Sequence, residues 1–297
     1  IPKSSFSVEG TVANAGFSLR NDVVDADIRR ANAQLRYQST TGNLEISKVA
    51  AEVNGTPLTA DFSADAKQVT IAARSSFDLE TLMRISPKIA RWYELAGPAQ
   101  GDVRIQLMTP SAGQATASNS LRPVASLTEL PRRISSAFQD GTFQLKGTVT
   151  VGNNERGATI RHRSMPPART LPYGLSVPRA ELANFRGTGI LDGITLLVPE
   201  GQPATCDMAD TKNCRVSGTI TFVPGNLPKI IFRAETEGEA KLDTWLTGWG
   251  MEAPRGGPPP QGHRHFELEG TFSANRVTYK GLQAGRGTGV VAYFYTQ

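Results

Sequence analysis

Apolar and polar residues alternate along most of this chain, and one alternating phrase returns three times. It reads Phe6-Ser7-Val8-Glu9-Gly10-Thr11-Val12, then Phe143-Gln144-Leu145-Lys146-Gly147-Thr148-Val149, then Phe266-Glu267-Leu268-Glu269-Gly270-Thr271-Phe272. Val216-Ser217-Gly218-Thr219-Ile220 is a fainter echo. Every second position is apolar, with Gly in place of one apolar residue, and polar or charged residues stand between. This is the period of a β-strand with one dry and one wet face. Its return predicts a chain built by repeating one strand unit, with function spread along a surface rather than gathered in a catalytic pocket.

The same period continues between the copies. Phe17 and Leu19, Ala33, Leu35 and Tyr37, Leu44 and Ile46, Val49 to Val53, Leu58 to Ala64, and Val69 to Ala73 mark successive strands. Thr41-Gly42-Asn43, Asn54-Gly55 and Asp65-Ala66-Lys67 supply the turns, and Asn-Gly is a strong two-residue hairpin signal. The spacing predicts an antiparallel meander over residues 6–74. Residues 78–96 break the period. Asp78 can cap a helix carrying Leu79, Leu82 and Met83. Ser86-Pro87 can start a second turn carrying Ile89, Trp92, Tyr93 and Leu95, with Gly97 as the stop. Strands resume at Val103, Ile105 and Leu107.

Residues 109–125 are polar and small and read as a flexible loop, followed by a short helix through Leu127, Leu130, Ile134 and Phe138. Beyond the second copy, Gly152-Asn153-Asn154 is a turn, and the prolines of residues 164–178 predict an extended loop. Further strands are expected near 180–186, 189–198, 215–223 and 229–235. Leu242, Trp245, Leu246, Trp249 and Met251 share helical spacing, and Pro254 to Gly262 reads as an exposed loop. Strands at 276–279 and 289–295 come after the third copy. The expected organisation is a β-repeat unit over 1–108 with a kinked helix near 78–96, a loop and short helix over 109–140, and further β-repeat units over 141–297. The fold class is mainly β.

Composition agrees. With 29 Gly and 19 Pro in 297 residues, turn formers make up about one residue in six, above the usual level of roughly 12%. The chain is long enough for one large domain or two ordinary ones. It starts at Ile1 and reads as a piece of a longer protein. It holds no run of about 18 apolar residues that would span a membrane as a helix. The net charge of +5 is scattered, apart from Arg132-Arg133 and Arg161-His162-Arg163, and so lacks the concentrated stripe that nucleic acid binding requires.

Familiar catalytic signatures are missing. There is no Gly-x-Ser-x-Gly elbow, no Ser-x-x-Lys, no His-Glu-x-x-His and no Gly-Lys-Ser/Thr phosphate loop. Gly187-Thr188-Gly189 and Gly285-Arg286-Gly287-Thr288-Gly289 lack the strand-before, helix-after setting of a nucleotide loop and read as turn glycines. His263 and His265 share one side of a strand, but no carboxylate or Cys pattern completes a metal shell. Glu9, Glu267 and Glu269 occupy wet-face positions of strands. Asn54-Gly55-Thr56 fits both a glycosylation acceptor and a hairpin turn. No enzyme activity, cofactor or metal is expected.

Cys206 and Cys214 flank seven polar, turn-rich residues, so a hairpin would bring them together. Two separate thiols are the alternative. The absence of competing cysteines favours a disulfide, which would add on the order of 2.5 kcal/mol in the chain-entropy model and would point to an oxidising compartment.

A sheet with one dry face must cover it. It can close into a sandwich, lie under helices, or stay partly open as an apolar trough, and the expected helices are few and short. The stretch Phe6 to Lys67 resembles the repeat unit of the AsmA-like superfamily, which includes the TamB-like and YhdP-like proteins of the Gram-negative envelope. The resemblance rests on the Gly-Thr strand, then Ala31-Asn32-Ala33-Gln34-Leu35-Arg36-Tyr37, Gly42-Asn43-Leu44-Glu45-Ile46, and the closing Asn54-Gly55-Thr56-Pro57-Leu58. The short helix before Gly97 also fits. In the second half only the Gly-Thr strands and Phe266–Tyr279 echo it.

The resemblance implies an elongated, curved antiparallel sheet of repeated units that forms a groove, anchored in the inner membrane through segments outside this chain and reaching across the periplasm. The groove would bind phospholipid or another acyl-chain lipid and conduct it between inner and outer membranes. Candidate lining residues are Phe6, Val8, Phe62, Ile71, Ile105, Leu107, Phe143, Leu145, Val149, Ile220, Phe222, Phe266, Leu268 and Phe272. A second expectation is a structural or assembly scaffold of the envelope that acts through protein contacts. A third is sugar binding through Trp92, Trp245 and Trp249, against which stands their placement in expected helices.

Overall fold

A computed structural model describes residues 5–20, 25–65, 68–108, 143–162, 169–170, 176–177, 181–208, 211–221, 229–243, 264–279 and 281–296. The chain is mainly β. In order, the elements are β1 (Ser7–Arg20), β2 (Asp25–Gln38), β3 (Asn43–Val53), β4 (Thr56–Ala64), β5 (Gln68–Asp78), α1 (Leu79–Ile85), α2 (Pro87–Trp92), β6 (Tyr93–Ala96), β7 (Pro98–Met108), β8 (Phe143–Val151), β9 (Ala158–His162), β10 (Arg169–Thr170), β11 (Ser176–Val177), β12 (Leu182–Asp192), β13 (Thr195–Val198), β14 (Ala204–Met208), β15 (Thr211–Thr221), β16 (Lys229–Lys241), β17 (Arg264–Tyr279), β18 (Leu282–Ala284) and β19 (Gly287–Thr296). The expected segments 109–140 and 254–262 lie outside the described residues, as do Trp245 and Trp249.

Contacts divide the chain into two compact units built from interleaved stretches. The first takes in Ile1–Phe77, Gln100–Thr148 and Leu191–Gly193, and the second Asp78–Ala99, Val149–Ile190 and Ile194–Gln297. In the first, β1 to β5 form the expected antiparallel meander. Asn54 and Gly55 have φ of 49° and 81° and close the β3–β4 hairpin between Val53 and Thr56. Asn and Gly tolerate this left-handed pair of angles, so the two-residue turn is dictated by the sequence.

Asn54 does more than turn the chain. Its Oδ1 accepts from the Asp27 N–H at 2.7 Å, and its Nδ2 donates to the Asp25 carbonyl at 2.9 Å. The β3–β4 turn is thereby stitched to the start of β2. With its amide engaged on both sides, the Asn-Gly-Thr sequence acts as a hairpin clamp in this fold.

Three consecutive strands carry bulges. Register shifts lie between Val12 and Ala15 in β1, Arg29 and Gln34 in β2, and Ile46 and Val49 in β3. Asn14, Arg30 and Lys48 sit there at φ of 51°, 52° and 53°. Side chains hold these strained residues in place. Asn32 Oδ1 accepts from the Asn14 N–H at 3.1 Å, and Asn32 Nδ2 donates to the Arg30 carbonyl at 2.8 Å. Asp61 Oδ1 accepts from the Lys48 N–H at 2.9 Å. Bulges of this kind bend a strand and re-aim its remaining side chains.

In the second unit the helical segment is shorter than its sequence predicts. Asp78 caps α1 by accepting from the Glu80 N–H at 3.1 Å, as expected, and Ser86 separates α1 from α2, which Pro87 begins. Helix then stops at Trp92, and Tyr93–Ala96 continues as β6, paired antiparallel with β9 from Tyr93↔His162 to Ala96↔Thr159. Four residues that fit either period became strand because β9 offers a ladder. Gly187 and Gly189, expected in a turn, lie inside β12, where they admit close contact from Ala204 and Leu196. Among the described residues β16 and β17 depart from the antiparallel expectation and run parallel, Lys229↔Glu267 to Lys241↔Thr278. The 22 residues between Lys241 and Arg264 in sequence exceed the roughly dozen that connecting a parallel pair needs.

Replacing Asn54 by Ala removes both stitches and a residue suited to positive φ. Unfolding stability is expected to fall by about 1–2 kcal/mol, read as a lower urea midpoint with an unchanged slope.

Candidate functional site

The first unit carries one dry face built from cross-strand rows. One row runs Val8–Tyr37–Leu44–Ala64–Val69 over β1 to β5, and the next runs Gly10–Leu35–Ile46–Phe62–Ile71. Between them, on the other face, runs Glu9–Arg36–Glu45–Ser63–Thr70. Glu9 pairs with Arg36 at 3.1 Å, Arg30 with Glu52 at 2.8 Å, and Arg74 with Asp102. Period two and register together therefore separate an apolar surface from a charged one.

Burial is graded across the dry face. Ala64, Val69 and Leu107 form a buried cluster, with Leu44, Phe62, Ile71, Ile105 and Leu145 packed half-buried against it. At β1 the face emerges: Val8 is 46% exposed, Val12 41% and Phe6 59%. The Phe6 and Tyr37 rings lie 5.9 Å apart, tilted by 49°. Singly exposed apolar side chains are ordinary, but a run of them continuous with a core is the usual mark of a binding surface.

The second unit repeats the device. Its rows are Ala204–Val216–Ala234–Phe272–Gly289, Val198–Gly218–Phe232–Gly270 and Leu196–Ile220–Ile230. Cys206, Met208, Cys214 and Ala234 are buried here, under Leu182, Phe185, Val216, Phe232 and Phe272. The glycine of the recurring phrase gains a purpose. A Cβ at Gly270 would sit 2.3 Å from the Phe232 ring, so only glycine lets that ring lie flat in the row. Gly147 likewise lies against the Asp102–Val103 backbone, whereas Gly10 has nothing within 4 Å.

Of the fourteen lining candidates, Phe62, Ile71, Ile105, Leu107 and Leu145 come together in the first cluster. Phe6 and Val8 lie at its exposed margin, and Phe272 joins the second cluster. Ile220 stands in a row with Leu196 and Ile230, and Val149 is half-buried in β8. Phe143, Phe266 and Leu268 occupy strand positions in β8 and β17, and Phe222 lies outside the described residues. Sequence reasoning passed over Leu44, Ala64, Val69, Phe185, Val216 and Phe232, whose alternation was the available signal.

A polar cluster closes the β14–β15 hairpin. Asp207 is buried beside Asn184, whose Nδ2 donates to it at 2.7 Å. Lys212 Nζ donates at 3.1 Å and the Asn213 N–H at 3.1 Å. Burial pushes the Asp207 carboxyl upward, but the bonds from Asn184, Asn213 and Lys212 outweigh it and hold the group below the usual carboxylate range. Cys206 and Cys214 are buried and face each other in register across the two strands.

Among the described residues, two of the clefts lie in the second unit. One of about 470 Å³ is lined by Glu80, Met83, Arg84, Glu94, Leu95 and Arg161, among others, and Arg161 is already paired with Glu94 and Glu181. The other, of about 230 Å³, lies over the Asp207 cluster. Among the described residues no group of three or more His, Cys, Asp or Glu side chains is placed to hold a metal ion. None of the described helices is long and apolar enough to cross a membrane. No family model, curated protein or solved structure matches this chain.

Because the folded Asp207 is more acidic than its unfolded counterpart, its contribution to stability is complete above the ordinary carboxylate pKa of about 3.9 and is lost as pH falls through the lower folded value. Thermal midpoints measured from pH 6 downward should fall below about pH 4, and Asp207→Asn should flatten part of that fall.

Proposed function

We propose that the dry faces of the two units bind the acyl chains of lipids, as a segment of a periplasmic, inner-membrane-anchored bridge that conducts phospholipid between the inner and outer membranes. One observation carries the reading: the apolar rows of the first unit run unbroken from a buried cluster at β4 and β5 to exposed Val8 in β1, with exposed Phe6 just before that strand. The sequence resemblance to AsmA-like repeats supports the same role. The mechanism is passive. An acyl chain lying across the rows gains about 0.8 kcal/mol per buried methylene, and the head group stays in water at the rim of the dry face.

No step in this process calls for a nucleophile, a proton shuttle or a cofactor. The chain therefore acts as a carrier surface and not as an enzyme. Its partners are lipid and, through segments outside this chain, membrane.

Lipid extraction and native mass spectrometry of the purified protein test the proposal directly, with bound phospholipid as the expected result. Val8→Asp combined with Val12→Asp places two charges on the exposed margin and removes roughly 1.5–3 kcal/mol of burial per side chain. Lipid retention should fall by about tenfold or more, with circular dichroism unchanged. Photo-crosslinkers at Val8 and Phe6 separate the alternatives: lipid adducts support the carrier, whereas protein adducts without lipid would replace it with an envelope scaffold.

A further inference from the structure

We propose that Cys206 and Cys214 form a disulfide bridging β14 and β15 on the dry face of the second unit, closed once that hairpin has paired and before the neighbouring strands bury it. The inference stands apart from lipid binding and rests on how the hairpin is registered. Met208 faces Thr211, so regular pairing would place Cys206 opposite Asn213. A register shift intervenes, and Cys206 faces Cys214 instead. The extra residue is Asn213, which sits at φ 54° with its N–H held by Asp207 Oδ1 at 3.1 Å. The bulge and its clamp together set the two cysteines directly opposite each other, and directly paired residues on neighbouring strands stand at the backbone spacing that a disulfide spans. The sequence Cys206-Asp207 and Asn213-Cys214 thus encodes a bulge and a cross-link as one unit.

The folded environment also fixes the order of events. Cys206 is 2% exposed and Cys214 1%, both packed among Met208, Ala234, Phe232 and Phe272. Burial pushes the Cys206 thiol up to about 12 and the Cys214 thiol up to about 11, so thiolate is scarce once the sheet has closed. The oxidant is a disulfide-bearing oxidoreductase or oxidised glutathione. One cysteine thiolate attacks the oxidant's disulfide, forming a mixed disulfide and releasing one thiol. The second cysteine thiolate then displaces the other sulfur of the oxidant, so two protons and two electrons leave the protein and the oxidant departs as two thiols.

The test uses the full chain expressed into an oxidising compartment and purified without reductant. Denaturation in the presence of a maleimide should add no label, the intact mass should lie two hydrogens below that of the reduced chain, and a digest should yield a peptide joining Cys206 to Cys214. Two maleimides per chain would overturn the proposal. Dithiothreitol should reduce the bond at least tenfold more slowly in native buffer than in urea; equal rates would overturn the order of events. Reduction should lower the Tm by roughly 5–10 °C. The Cys206→Ala/Cys214→Ala double variant should melt with the reduced protein and show no further drop with dithiothreitol, and a reductant-sensitive Tm in that variant would refute the assignment.

Discussion

Everything in this structure depends on keeping parity between paired strands. A strand places successive side chains on opposite faces, so a slip of one residue would turn its whole apolar set toward water. In the first unit the registers of four successive strand pairs agree, so that Val8, Tyr37, Leu44, Ala64 and Val69 fall into one row. Bulges threaten that agreement, and polar side chains secure several of them. Asn32 holds the irregularities of β1 and β2, Asp61 that of β3, and Asp207 that of β15. The polar side chains of the sheet thus keep its apolar side apolar.

The second unit shows how far this constraint reaches. Between β16 and β17 the chain changes from antiparallel to parallel pairing, yet Phe232 still meets Gly270 and Ala234 still meets Phe272. Strand direction is free to vary as long as dry meets dry. Gly270 serves the same end, since its missing side chain makes room for the Phe232 ring in a row that would otherwise be overfilled.

Much of this was legible in the sequence. Alternation located the strands of residues 6–74, Asn54-Gly55 located its hairpin, and Asp78 located the helix start, because each signal is local. Legibility ended where the outcome depended on a distant partner. Tyr93–Ala96 extends a helix on paper and joins β9 in the fold. Gly187 and Gly189 read as turn formers and proved to be sites of close packing against Ala204 and Leu196. The lining candidates were read from their phrases, so they include Phe62, Ile71 and Leu145, but Ala64 and Val69, small or near a turn, are deeper than any of those. No local signal marks a cluster such as Asp207, Asn184 and Lys212, whose members meet only after the strands have paired.

The rows across β1 to β5 store their information in an unusual form. A place in a row asks for an apolar side chain of suitable bulk and for the right parity, and Val, Ile, Leu or Phe can meet that request with modest repacking. The wet face asks only for charge and solubility. Two chains can therefore share such a surface while sharing few identical residues, provided that their turns, bulge clamps and glycines fall at matching intervals. What is inherited in a protein of this kind is a rhythm, and the fixed points in that rhythm are its Asn, Asp and Gly residues rather than the hydrophobic ones.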